Sequence, residues 1–403
     1  MDRPFSAARI ALGCLLGVAI AGLAQAQKTW IVDRLGAGDF RTVTAAVTAA
    51  SQGDTILVLA GAYPEIVSTT KGLRLIGIGK PTIDGIRVDS LVANSHFVIK
   101  GVRCPDQGQG ISLTHNQGAV HLEDVSIPAF FIQLGIVPPL NIQDSSLVSV
   151  TGCDFAGYTG ASISNSTVYI VDSVLRGSDG YVTFMHNSPA QPGLMTSKST
   201  VVLAGTSCTG GQGTQQMMVY NAPAAGIRMY TSEIFVMGDD TTAISAGGVV
   251  AGNTFSSPAI YCALGGTLYL DPRVKLSATN TSQTIQGTVA VQATMPTLLA
   301  TQQTTPVALV KTEVRAPQGW VSALFAGLPG RGQPWLPHGY LWLDPGAPLV
   351  LLDVGQLGLS GSRTYNLVIP ATVPRGEPVT FQALVMTPTS TLLLSNGVTV
   401  VLN

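Results

Sequence analysis

One phrase recurs along the chain and limits what it can fold into. It is clearest at Ser199-Thr200-Val201-Val202-Leu203-Ala204-Gly205, with apolar residues two and four places after its start and a turn residue six places after. It begins again at Lys71, Ser95, Gly118, Ser146, Ser166, Ser232 and Gly266. The first apolar column reads Leu73, Phe97, Val120, Val148, Val168, Val201, Ile234, Leu268, and the second Leu75, Ile99, Leu122, Val150, Ile170, Leu203, Val236, Leu270. Alternation of this kind is the period of a β-strand with one face buried. The turn column reads Gly77, Gly101, Asp124, Gly152, Asp172, Gly205, Gly238, residues that tolerate a left-handed backbone or bond locally to it; only the last copy departs, with Pro272. The copies at 166, 199 and 232 are 33 residues apart, and Gly160, Gly193 and Gly226 keep the same interval. A strand and turn repeated with irregular inserts is a solenoid signature. The expected fold is all-β, with one coil of a parallel β-helix per repeat.

Composition agrees with a buried β core. Of the 403 residues only 11% are charged and 45 are Gly, and mean hydropathy is +0.36. A net charge of -1 leaves no electrostatic case for a nucleic-acid partner. At the N-terminus, Arg3 and Arg9 precede an apolar run from Ile10 to Ala24, followed by the small residues of Ala24-Gln25-Ala26. This is the pattern of a secretory signal peptide over 1–26, cut after Ala26. The alternative is an uncleaved anchor, for which the run is short. No other apolar run is long enough to span a bilayer, so no transmembrane segment is expected after cleavage. Export permits disulfides among Cys104, Cys153, Cys208 and Cys262. The first three, however, are expected in apolar columns just past the turn, beside Ile127, Phe155 and Leu175, and on non-neighbouring repeats, which favours buried free thiols. No CxxC or His/Cys pairing marks a metal site, and no cofactor is expected.

Residues 27–278 are expected to form the β-helix. Lys28–Val32 reads as its first strand. Val43, Ala46, Val47 and Ala50 recur at helical spacing, giving a short amphipathic helix that covers the open end of the solenoid. Residues 279–306, rich in Thr, Gln and Ala, read as a linker in which Thr288–Val291 adds a strand. From 307 to 403, short apolar runs at Gly339–Leu343, Leu349–Asp353, Tyr365–Ile369, Val379–Met386 and Val398–Leu402 are divided by Pro and Gly, as in a small β-sandwich.

The opening of the β-helix resembles the N-terminal part of secreted pectin methylesterases and related proteins of the pectin lyase-like superfamily. The matching segments are Gly38–Val43 (GDFRTV), Ala45–Val47 (AAV), Gly61–Glu65 (GAYPE), Leu73–Gly79 (LRLIGIG) and Thr82–Gly85 (TIDG). The resemblance covers about 50 residues and implies a right-handed helix of parallel strands. It does not extend to the esterase chemistry. In the family a Cys-x-Phe-x-Gly-Tyr-Gln-Asp segment supplies the catalytic acid. Here the segment is Cys153-Asp154-Phe155-Ala156-Gly157-Tyr158-Thr159-Gly160, with Thr159 and Gly160 in place of Gln and Asp. The nucleophilic Asp has its nearest counterpart in Asp179, one position out of register. The dense Asp clusters with which the superfamily's lyases hold calcium have no counterpart. The ending, Gln382–Val385 and Leu394–Gly397, resembles a C-terminal module of large secreted bacterial proteins.

Binding residues are sought on the outward side of the repeated strand. Its central column reads Arg74, Val98, His121, Ser149, Tyr169, Val202, Phe235, Tyr269. Arg74, His96, Lys100, His121 and Glu123 form a polar patch over three coils, and Tyr169, Phe235 and Tyr269 form an aromatic line beyond it. The two together suit a polysaccharide lying along the helix axis. The plainer account is that outward residues are solvated or packed under inserts. Asp124 and Asp172 are turn residues; Asp179, Asp239 and Asp240 lie in polar loops. Two functions follow: a secreted or cell-surface protein that binds or processes carbohydrate, with a polysaccharide or surface glycan as partner, or a non-catalytic adhesive protein using the β-helix as a rigid spacer. An acid and a nucleophile must both be present for ester hydrolysis. With Gly160 at the acid's place, the purified protein is expected not to demethylate pectin above the buffer rate. Turnover abolished by Asp179→Ala would show otherwise.

Overall fold

The computed structural model describes residues 27–402, apart from 106–107, 129–137, 183–186, 217–218, 239–240, 251–253, 304–308, 336–339 and 369–375. The segment expected as a signal peptide, and Asp239 and Asp240, therefore lie outside the described residues. The chain divides into two compact units, Thr29–Thr294 and a second formed mainly by Met295–Asn403.

The first unit is a parallel β-helix with three faces. Face A carries the repeated phrase, in strands such as Ala119–Glu123, Leu147–Thr151, Thr167–Val171 and Thr200–Ala204. Face B precedes it in each coil, as in Gly110–Thr114, Leu140–Gln143, Ala161–Ser164 and Leu194–Ser197. Face C follows it, in Asp154–Gly157, Val174–Gly177 and Ser207–Thr209. Strands of successive coils pair in parallel on every face, in register except for irregularities at Tyr63/Ile66 and Met229/Tyr230. Both apolar columns of the phrase meet as expected: Phe97 with Val120, Val148, Val168, Val201, Ile234 and Leu268, and Ile99 with Leu122 through to Leu270. All of these point into one core and are at most 4% exposed. Each contributes about 1.5–3 kcal/mol through burial.

Corners are where a coil must leave its strand geometry, and the sequence meets this twice per turn. Between faces A and C, Gly101, Asp124, Gly152, Asp172 and Gly205 have φ of 49° to 66°. Gly77 occupies the same column for a different reason. Its φ is not left-handed, but a Cβ there would clash with the Gly101 carbonyl and the Pro81 ring. Between faces B and A the left-handed residues include Ser90, Asn94, His115, Asp144, Asn165, Lys198 and Thr231. A buried hydroxyl ladder runs beside them. The Ser166 hydroxyl accepts Ser145 N–H (3.0 Å), Ser199 accepts Ser166 N–H (3.2 Å) and Ser232 accepts Ser199 N–H (3.3 Å). Each hydroxyl donates in turn to the carbonyl two residues back, Ser164, Ser197 and Tyr230. Asn116 continues the ladder, donating to the Ser145 hydroxyl at 3.3 Å and accepting Leu91 N–H at 3.0 Å.

The 33-residue glycine column also has a steric cause. At Gly160, Gly193 and Gly226 the chain re-enters face B against a face C strand, where a Cβ would lie 2.5–2.7 Å from backbone atoms. The inserts before these glycines stack on one another. Gly180 N–H donates to Gln212 O, Gly211 N–H to Gln191 O and Gly247 N–H to Ala224 O, all at 2.8–2.9 Å. Asp179 accepts Gln212 N–H at 2.7 Å, the turn role expected of it.

The helix spans Val43–Ala49 and buries Val43, Ala46 and Val47 in the core. Seven residues are too few to hold a helix alone. The Glu65 carboxylate accepts Val43 and Thr44 N–H at its start, and Lys71 Nζ donates to the Val47, Thr48 and Ala50 carbonyls at its end. Both charges suit the ends they cap. The four cysteines are free and buried. Burial pushes the Cys104 and Cys153 thiols up to about 12, so they are inert. Cys104 and Cys208 occupy the face C column with Ile127, Phe155 and Leu175, whereas Cys153 lies at the corner before it.

The expected linker at 279–306 is instead divided between the units. Ile285–Gln286 and Ala290–Gln292 extend faces B and A, taking the β-helix past 278, while Thr297–Gln303 pairs with Leu309–Arg315 in the second unit. That unit is antiparallel and sandwich-like, and all five expected strands are present. Two of its buried side-chain amides are paired. Asn396 exchanges hydrogen bonds with the Leu298 backbone, and Gln382 bonds to Trp342 N–H, Tyr340 O and Ser395 O.

The corner ladder yields a test. Ser199→Ala removes the acceptor of Ser166 N–H and leaves that buried group unpaired, while the Ser197 carbonyl keeps the Asn165 N–H, costing about 1–3 kcal/mol. Urea denaturation of the β-helix is expected to show that loss. A change below about 0.5 kcal/mol, the range of ordinary surface substitutions, would show that the ladder carries no stability.

Candidate functional site

Register places Arg74, Val98, His121, Ser149, Tyr169, Val202, Phe235 and Tyr269 in one outward column, as the alternation predicts. The column is outward but largely closed to solvent. Tyr169 is 0% exposed, His121 1%, Lys100 7% and Arg74 9%, while His96 and Glu123 are half-buried. The expected aromatic line therefore breaks. Tyr169 is packed in, whereas the Phe235 and Tyr269 rings stack at 4.5 Å and 3° and are each half-buried. The physical reason lies in the neighbouring outward positions. Val98, Val171, Val202, Ala204 and Met237 are all apolar and buried, so the face A strands are buried on both sides.

The polar patch is likewise a set of internal pairings. Lys100 Nζ meets Glu123 Oε1 at 3.0 Å, with side chains 9% and 14% exposed. His121 Nδ1 lies 2.6 Å from Ser149 Oγ. The His96 and His121 rings stack at 5.9 Å. A hydroxyl beside an imidazole is the arrangement of an activated nucleophile. Here both members are 1% exposed, so no substrate reaches them. Burial first, and then His96, hold His121 well below the usual imidazole range, so it is neutral.

Face B is the open one, and its strands alternate cleanly. One outward column runs Arg87, Ser112, Asn141, Ser162, Met195, Arg228, Tyr261 and the other Asp89, Thr114, Gln143, Ser164, Ser197, Tyr230. Arg87, Asp89, Gln143 and Arg228 are exposed and the others half-buried, and none is closed off. Coils stack about 4.8 Å apart, so the columns present hydroxyls, amides and charges at short regular intervals. At the late end the Arg228 guanidinium lies 5.7 Å from the Tyr230 ring and 5.4 Å from the Tyr261 ring. At the early end the Asp89 carboxylate accepts the Thr114 hydroxyl (2.6 Å) and pairs with His115 Nδ1 (3.1 Å). The Thr114 bond, with His115 and Ser90 adding, holds Asp89 below the usual carboxylate range.

Beside face B, at its corner with face A, runs a polar groove of about 290 Å³. It is lined by Asn116, Gln117, Asp144, Ser145, Ser146, Asn165, Ser166, Thr167, Lys198 and Thr200. Asp144 accepts from Asn165 Nδ2 at 2.7 Å and from Gln143 at 3.1 Å, which lowers its pKa. None of the face B or groove residues was expected as a site. Their signal is the clean polar alternation of Ile111–Thr114, Asn141–Gln143, Ala161–Ser164 and Met195–Ser197, set just before each phrase. Among the described residues no three His, Cys, Asp or Glu side chains are grouped to hold a metal ion, and no helix is long and apolar enough to cross a membrane. No family model matches the chain, and no curated protein is significantly similar to it.

The buried imidazole gives stability a pH dependence. His121 titrates near pH 6.5 when unfolded and lower when folded. Above that pH both states are neutral and stability is complete. Below it the unfolded state binds a proton that the native site refuses, so stability falls by up to about 1.4 kcal/mol per pH unit. His121→Asn, which never charges, is expected to flatten the decline of denaturation free energy between pH 6.5 and 5. An unchanged slope would show that His121 is protonated in the native state.

Proposed function

We propose that the protein is exported, with residues 1–26 removed, and binds a glycan along face B. The observation that carries this reading is the open face itself. Two columns of hydrogen-bonding side chains run along the helix axis and end in Tyr230, Arg228 and Tyr261. Sugar hydroxyls both donate and accept, as do the Ser, Thr, Asn and Gln side chains they would meet. Tyrosine rings offer flat apolar surface to the C–H faces of pyranoses, with a hydroxyl at the edge. The resemblance of the opening segments to pectin lyase-like proteins fits this reading. The absent catalytic acid favours binding over turnover.

The second reading is a rigid spacer. The closed outer side of face A and the continuous corner ladder favour it. A glycan array probed with the chain lacking residues 1–26 separates the two. Binding is expected, and calorimetry with the best ligand should show Tyr230→Ala and Tyr261→Ala weakening it about three- to tenfold, with melting unchanged. An array that retains no protein would leave the spacer reading.

A further inference from the structure

The groove at the corner between faces B and A is a second element of the same surface. We propose that it holds a single neutral monosaccharide branch of the bound glycan, so that the ligand is a branched rather than a linear chain. This rests on the reading of face B as the glycan surface. Position comes first. The groove opens within two residues of the outward column that ends at Tyr230, and Lys198 N–H bonds to the Tyr230 carbonyl at 3.0 Å. A chain lying along face B therefore passes the groove mouth, and a substituent pointing across the corner enters it.

Chemistry comes second. Lys198 Nζ and the hydroxyls of Thr167 and Thr200 have no hydrogen-bond partner among the described residues. On the same corner, one coil before Asn165 and two before Lys198, stands the Asp144 carboxylate, which accepts from Asn165. An ammonium only donates, a carboxylate only accepts, and hydroxyls do both. That mixture matches the vicinal hydroxyls of a pyranose. An anionic branch would face Asp144, and an apolar one would leave all these groups unpaired. No aromatic ring lines the groove, so the branch is held at its hydroxyl edges rather than by stacking.

Preorganisation comes third. Ser145 and Ser166, at the base of the groove, belong to the corner ladder and are 1% and 5% exposed. The floor is fixed before ligand arrives, which lowers the ordering cost of binding. The groove exists because the corner tightens along the chain. From the face B column to the face A column there are seven positions at Thr114–His121, six at Gln143–Ser149 and five at Ser164–Tyr169. The surplus residues Gln117 and Ser146 stand over the tighter corners that follow.

The test uses calorimetry on the chain lacking residues 1–26 with matched neutral pairs: β-1,4-mannan against galactose-branched mannan oligosaccharides, and β-1,4-glucan against xylose-branched glucan oligosaccharides. In at least one pair the branched member is expected to bind at least fivefold more tightly. Thr167→Val, Thr200→Val and Lys198→Met should each reduce that preference about threefold or more while leaving the linear member's affinity unchanged. Equal affinity within each pair, or variants that weaken both members alike, would overturn the branch site and leave face B as a glycan surface. Binding to neither pair, nor to any other glycan, would overturn both.

Discussion

The structure depends on how each coil pays out its backbone at the corners. A parallel β-helix pairs every strand with the coils above and below, so strand interiors satisfy their own N–H and C=O groups. At a corner the ladder is interrupted, and a left-handed residue turns the chain while its neighbour's N–H points inward. The buried serines resolve this between faces B and A. Each hydroxyl accepts an N–H from the coil before and donates to a carbonyl of its own coil. An inward N–H left unpaired would cost about 1–3 kcal/mol. The same device appears between faces A and C, where the Ser173 hydroxyl accepts Cys153 N–H and the Thr242 hydroxyl accepts Gly205 N–H. Neighbouring coils are thereby tied through side chains as well as through strands, and the outer columns keep fixed spacing.

That fixed spacing is what makes an outer face useful, and the two larger faces use it differently. Face A fills its outward positions with Val, Ala and Met and closes the polar residues among them into pairs. A charge pair this far from water gives little net stability but is costly to break. Face B spends almost nothing on closure. Its side chains alternate between core and solvent at every position from Arg87 to Tyr261. The proposed recognition therefore falls on face B, although face A carries the louder repeat.

The sequence showed the period, the columns and the turns clearly because each has a strict physical cause. Alternation follows from strand geometry, and Gly or Asp at the turn follows from the left-handed backbone. The capping helix was visible at Val43, Ala46, Val47 and Ala50, although the Glu65 and Lys71 contacts that hold it were not. Exposure was harder to see. Pointing away from the core is not the same as reaching solvent, and Tyr169 shows the difference. The warning was present in Phe97-Val98-Ile99, Val168-Tyr169-Ile170-Val171 and Val201-Val202-Leu203-Ala204. Near-continuous apolar runs of that kind mark strands buried on both faces. The face B strands, with Ser, Thr, Asn and Gln at every second place, carried the opposite mark. They drew less notice because their polar residues are small and uncharged.

The irregular early corners have a consequence beyond shape. A solenoid of identical coils would offer the same side chains at every level and so bind a repeating polymer in any register. Here the corner shortens over successive coils and then holds constant from Ser164–Tyr169 onward. The early coils bring Asp89 and His115 to the corner, and the late coils bring Arg228 and two tyrosines. Opposite ends of one face thus differ in charge and in aromatic content, with the groove between them. A glycan bound as proposed would contact all three and so have one direction and one register, since a slip of one coil would take a ring from its sugar and a branch from its groove. Regular stacking sets the spacing of contacts, and the departures from regularity decide where along that spacing the ligand stops.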